Sequence, residues 1–246
     1  MSIMGLNERI HNARYSPAKK EADASPKQGV RRFGYVLFHN FWRLMALGAL
    51  FLLFCLPVLT IPASLCGLNR VLIQLTRRGQ SFLWSDFIKE FKACLFKSLP
   101  FGLLSAFLLF DSYVAAAAAA SADGTTSTMP LLAVAGLLFA LYSLFTGYAF
   151  VFLPSLNLGG RGIAGNVLSM MRSEGTADLI IIALNLFSVL GAIALFPFSL
   201  LLLPIWFVWM QLAICVCVNG PMQRRIVAPY EESLGGHLAE EVSHAN

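Results

Sequence analysis

Charge is scarce in this sequence. Only 13% of its 246 residues are Asp, Glu, Lys or Arg, where a soluble domain carries about 25%. Two stretches have none at all, Gly124 to Gly160 and Leu179 to Gln223. Such segments cannot build a water-exposed surface, which excludes a soluble globular protein. Histidine is scarce too: His11, His39, His237 and His244 are scattered, three of them in polar tails. The five cysteines, Cys55, Cys66, Cys94, Cys215 and Cys217, form no CxxC and have no nearby His. Cys215 and Cys217 are two apart, so on a helix they point about 200° apart and do not share a metal in the usual way. They read as small apolar packing residues. No metal, disulfide or cofactor is expected. HExxH, Ser-His-Asp order and paired-carboxylate spacing are also missing, so no enzyme is expected. The first thirty residues lack the apolar core of a secretory signal.

What is present is apolar. Hydrophobic residues make up 57% of the chain, and the mean hydropathy is +0.70. A bilayer span needs about 20 apolar residues, so Leu179 to Gln223 alone can hold two. Lipid offers no hydrogen bonds to free backbone groups, which makes the spans helical. The expected class is an all-α membrane protein whose first partner is the lipid bilayer. The net charge of +5 does not signal nucleic-acid binding, because seven of the eighteen Lys and Arg precede Phe33 in one polar tail. Basic residues beside spans mark the cytoplasmic side. Three units follow: a disordered basic tail at 1–32, a membrane domain at 33–225 and a polar tail at 226–246.

Five apolar segments stand out: Val36–Leu56, Leu99–Ala120, Leu131–Leu153, Leu179–Phe196 and Leu200–Val218. Basic residues place the segment from Arg77 to Lys97, the loop with Arg161 and Arg172, and Arg224–Arg225 inside. "SADGTTSTMP" and the turn near Pro197 fall outside. The last four spans alternate correctly. The first does not, because the basic tail and the Arg77–Lys97 segment both belong inside. An even number of crossings must join them. The returning segment can only be Ala63–Thr76, short at about 21 Å and carrying Asn69 and Arg70. Such a helix must be covered by others or be partly re-entrant. Pro57 and Pro62 bracket the outer turn, with Thr60 between them. The expectation is six transmembrane helices in three hairpins, both termini cytoplasmic.

Between the second and third spans, Trp84, Phe87, Ile88, Phe91, Leu95 and Leu99 recur at helical spacing. Ser85, Asp86, Lys89 and Lys92 share the opposite face. This predicts a cytoplasmic amphipathic helix, capped by Ser81 or Ser85. Trp84, Phe87, Lys89, Phe91 and Lys92 are its candidate partner-docking residues. "AGNVLSMMRSEG" reads as a weaker counterpart.

Charges within spans are costly and often functional. Measured from Pro62, Arg70 lies about 12 Å below the outer surface; measured from Lys97, Asp111 lies about 9 Å below it. Similar depth suggests that they pair, or share a polar site with Asn69 and Asn185; the alternative is that Arg70 snorkels and Asp111 sits near the outer interface. "GRGIAG", Gly160 to Gly165, matches G-x-G-x-x-G but lacks the strand and βαβ context of a nucleotide site, and reads as a flexible interfacial turn.

The stretch from Phe33 to Asp111 resembles the YesL-like family of bacterial integral membrane proteins of unknown function. The matching elements are Leu56-Pro57, Thr60, Pro62-Ala63, Arg78-Gly79, Phe87, Phe91-Lys92 and Asp111. The resemblance implies a multi-pass protein of the bacterial cell membrane, linked to carbohydrate uptake. A non-enzymatic accessory to carbohydrate transporter subunits is the leading expectation. A small secondary transporter or channel is the alternative. "FKACLFKSLP" faintly resembles the coupling helix of an ABC importer permease, but lacks the Glu-Ala-Ala and Gly of that motif.

Overall fold

The first apolar segment does not form one straight span. The computed structural model describes residues 30–78, 81–121, 125–156, 159–194 and 199–227. In it, α1 (Val30–His39) and α2 (Phe41–Cys55) meet at 85° around Asn40. Asn40 is buried, with non-helical backbone angles and no side-chain cap bond. Neither Pro nor Gly marks this bend in the sequence. Alone, α2 has 15 residues, about 22 Å of helix against a core of about 30 Å. The expected span Val36–Leu56 is therefore two helices.

The chain then turns through a short 3-10 helix, Val58–Thr60, into α3 (Ile61–Arg78). Both prolines suit their places. Pro57 precedes the 3-10 turn with extended angles, and Pro62 sits in the first turn of α3, where an N–H has no partner to lose. Thr60 Oγ1 lies 2.6 Å from the carbonyl oxygens of both Phe54 and Pro57. Ser64 Oγ donates toward Phe54 O at 3.1 Å and Thr60 O at 2.9 Å. The Phe54 carbonyl at the end of α2 is thus met by side chains of the turn and of α3.

The predicted amphipathic helix and third span are one helix. α4 (Leu83–Ser121) runs 39 residues through Pro100. Its start is held by neither Ser81 nor Ser85: the Phe82 N–H donates to Asp86 Oδ2 at 2.9 Å, and Ser81 Oγ is buried without a partner. α5 (Thr125–Ser155) runs antiparallel to it, in a register marked by Ser112 Oγ to Ala135 O (3.0 Å) and the Phe101–Phe145 stack. α6 (Gly160–Ser173), α7 (Gly175–Ala194) and α8 (Ser199–Met222) follow, and a π-helical turn, Gln223–Val227, ends the described chain. "GRGIAG" is the opening of α6, not a flexible turn. Helix α6 buries Ile163, Val167 and Met170 at helical spacing.

No strand occurs among the described residues. Five helices are long and apolar enough to cross a membrane, six if the bent α1–α2 pair counts as one. The tails, apart from residues 30–32 and 226–227, and the turn near Pro197 lie outside the described residues.

The core is built on α3, which touches α1, α2, α4, α5 and α8. Its span is 56% buried, against 11–39% for the other four. The expectation that this polar helix must be covered is met. Small residues allow the close approach. A Cβ on Gly102 of α4 would stand 2.1 Å from the Pro62 ring, and one on Gly147 of α5 only 2.7 Å from Ile181 of α7.

Candidate functional site: the polar centre around Asn69 and Arg70

Pro154 lies at the end of α5 and has no N–H. The carbonyl one turn earlier, on Phe150, loses its helical donor for that reason. Phe150 is buried, so the loss must be made good from elsewhere. Asn69 does it: its Nδ2 donates to Phe150 O at 2.9 Å. The neighbouring Arg70 donates from Nη1 to Pro154 O at 2.8 Å. Two adjacent residues of α3 thus hold two carbonyls one turn apart on α5.

The other end of the Asn69 amide is used as well. Its Oδ1 accepts from Gln211 Nε2 at 2.9 Å and from Cys215 Sγ at 3.4 Å. Gln211 and Cys215 are one turn apart on α8. Asn69 is fully buried, and one side chain joins α3, α5 and α8.

Arg70 is more open. Its Nε lies 3.8 Å from Glu90 Oε2 on α4, with side-chain exposures of 39% and 19%. Glu90 Oε1 also accepts from Cys94 Sγ at 3.2 Å. Two of the five cysteines, Cys94 and Cys215, therefore donate hydrogen bonds as well as fill space. Further out, the Tyr148 hydroxyl donates to Asp178 Oδ1 at 2.6 Å, both groups buried, and ties α5 to α7. Arg225 pairs with Glu174 at 2.7 Å and donates to Ser173 O, closing the end of α6.

The expected polar site is only half assembled. Asn69 and Arg70 work together, but Arg70 meets Glu90, not Asp111. From Glu90 to Asp111 is 21 residues along α4, about 31 Å of helix. The Asp111 carboxylate is half-buried and makes no hydrogen bond or ion pair among the described residues. Asn185 donates to Ile181 O of its own helix at 3.0 Å. Arg70 and Asp111 do not share a depth, because α3 and α4 are not aligned by their ends. Their actual register is set by Pro62 against Gly102.

The proposed docking face is also smaller than its sequence pattern. Phe87 is fully buried, and Phe91 packs beside it against Phe54, with ring centroids 5.4 and 4.9 Å away. Trp84, Lys89 and Lys92 remain exposed. Pro57, Thr60 and Pro62 lie at the 3-10 turn between α2 and α3.

Sequence reading missed Glu90, Tyr148, Asp178, Gln211 and Cys215 as partners. One signal was available: a proline near a helix end announces a free carbonyl one turn back. The others are contacts between distant segments, up to 146 residues apart.

A family model described as "Protein of unknown function, DUF624" matches residues 37–115. That is 79 of the 246 residues, the stretch from late α1 through most of α4. It contains Asn69, Arg70 and Glu90, but not Phe150, Pro154, Gln211 or Cys215. No curated protein matches the chain, and no solved structure does.

Proposed function

We propose that this chain is a non-enzymatic accessory protein of a bacterial cell membrane, of the YesL-like kind, that works beside transporter subunits for carbohydrate uptake. Both termini face the cytoplasm on this reading. The observation that carries it is how the central polar groups are used. Asn69 gives its donors and acceptor to α5 and α8, and Arg70 gives its own to α5 and Glu90. The Asn69 bonds and the Arg70–Pro154 bond hold helices together, as an accessory subunit requires, and leave the buried Asn69 amide little capacity for a solute. The first turns of α4 supply the contact surface. Phe82 and Trp84 are 76% and 63% exposed, beside exposed Lys89 and Lys92. Photo-crosslinking from position 84 in native membranes, followed by mass spectrometry, tests this. Carbohydrate-transport subunits among the adducts support it. Adducts with lipid alone count against it.

A second reading rests on one observation, the Asp111 carboxylate without a partner among the described residues. Unpaired intramembrane acids serve proton and ion coupling, which fits a small-solute transporter. Proteoliposomes separate the two. Solute or proton flux abolished by Asp111→Asn favours transport; no flux above empty vesicles favours the accessory role.

A further inference from the structure

We infer that the α2–α3 turn is the tip of a re-entrant hairpin, embedded in the acyl chains of one leaflet, and does not reach the opposite face. The Pro62 ring rests on Gly102 so closely that no Cβ would fit between them. From Gly102, α4 continues 19 residues to Ser121 with no further proline, about 28 Å of helix. Helix α5 accompanies it over that length.

This paired segment needs lipid. Leu103, Phe107, Phe110 and Tyr113 on α4, with Leu132 and Leu137 on α5, are all exposed. Its 28 Å nearly fills a hydrocarbon core of about 30 Å. The α2–α3 turn lies at its base, so it cannot share a membrane face with Ser121 at the far end. Exposed Lys97 lies five residues before Gly102, roughly 7 Å along the helix. Lys97 marks the polar boundary, and the turn dips about that far inside it.

The turn is built for such a place. Leu56, Val58 and Leu59 are 77%, 78% and 75% exposed, where a turn in water or among headgroups would be polar. Carbonyls around the turn are met from within the chain: the Thr60 and Ser64 hydroxyls lie against Phe54 O, Pro57 O and Thr60 O, and the Thr60 N–H donates to Pro57 O, which lowers the cost of irregular chain at membrane depth. A hairpin that enters and leaves on one side also meets the parity rule, which needs an even number of crossings and accepts none. Arg70, eight residues past Pro62, lies about 12 Å further along α3. It reaches the polar boundary, where its partial exposure and its Glu90 partner cost little.

Accessibility tests this in vesicles of both orientations. Leu59→Cys, Ser121→Cys and Arg77→Cys are placed singly in a chain whose native cysteines are replaced by Ala. A membrane-impermeant maleimide should label Ser121→Cys from one side and Arg77→Cys from the other, and should fail to label Leu59→Cys from either. Labelling of Leu59→Cys from the Ser121 side would restore two full crossings and overturn the proposal. So would labelling from the Arg77 side at the Arg77 rate, which would put the turn in water. A lipid-facing tip is separated from one covered by protein with a fluorophore attached to Leu59→Cys. Quenching by acyl-chain-brominated lipid supports the hairpin, and its absence overturns it. Val58→Cys repeats the measurement if Leu59→Cys does not fold.

Discussion

Replacing Asn69 by Leu should destabilise the bundle, and a second substitution at a distance should partly restore it. Leu keeps the approximate volume but removes the donor to Phe150 O and the acceptor for Gln211 Nε2. A buried polar group left unpaired costs about 1–3 kcal/mol, so two suggest about 2–6 kcal/mol. Hydrogen bonds between helices in membranes average nearer ~0.6 kcal/mol, because the unfolded state in lipid also finds partners. The expected loss is therefore at the low end, about 2 kcal/mol. Pro154→Ala supplies the N–H that Phe150 O lacks. Alone it should be nearly neutral, since a carbonyl accepts two donors. Combined with Asn69→Leu it should recover about half the loss, leaving only the Gln211 share. The assay is a double-mutant cycle from reversible unfolding in mixed micelles, followed by circular dichroism. Simple additivity of the two substitutions would refute the reasoning, for then Asn69 does not serve the carbonyl that Pro154 frees.

Three further outcomes are expected from the same unfolding assay. Gly102→Ala drives a methyl into the Pro62 ring and should cost about 1–3 kcal/mol by overpacking; Pro62→Ala should relieve it, and no relief would break the link between these positions. Tyr148→Phe leaves buried Asp178 without its hydroxyl donor and should cost about 1–3 kcal/mol. Asp178→Asn, which keeps an acceptor at that place, should cost less. Glu90→Gln should change stability by less than about 1 kcal/mol, because the Arg70 pair is long and partly exposed; a loss several times larger would make that pair a structural element.

Charge and proline placement made much of the architecture legible. Parity of basic segments required the chain to turn between Val36 and Arg77, and Pro57 and Pro62 put that turn where the 3-10 helix lies. The polarity of Asn69 and Arg70 required α3 to be covered, and it is the most enclosed of the candidate spans. Parity counts crossings only as even or odd, so it could not say how far the hairpin reaches. The partner of Arg70 was out of reach for a similar reason. It depends on the register of α3 against α4, which a single pair, Pro62 and Gly102, sets. The bend at Asn40 has no Pro or Gly to mark it in the sequence, and Asn40 itself is buried there with non-helical angles. Helical periodicity found the apolar face of α4 correctly, but could not say that Phe87 and Phe91 meet Phe54 within the same chain.

The Asn69 amide also sets an order of events during synthesis. Gln211 follows Asn69 by 142 residues. At about 5–20 residues per second, the two are separated by on the order of ten seconds. Phe150 on α5 follows after 81 residues, so the Asn69 donor can be met first, while its acceptor waits for α8. The stretch from 37 to 115 thus holds Asn69 without its partners on α5 and α8. The Asn69 oxygen has its Gln211 and Cys215 donors only once α8 is made.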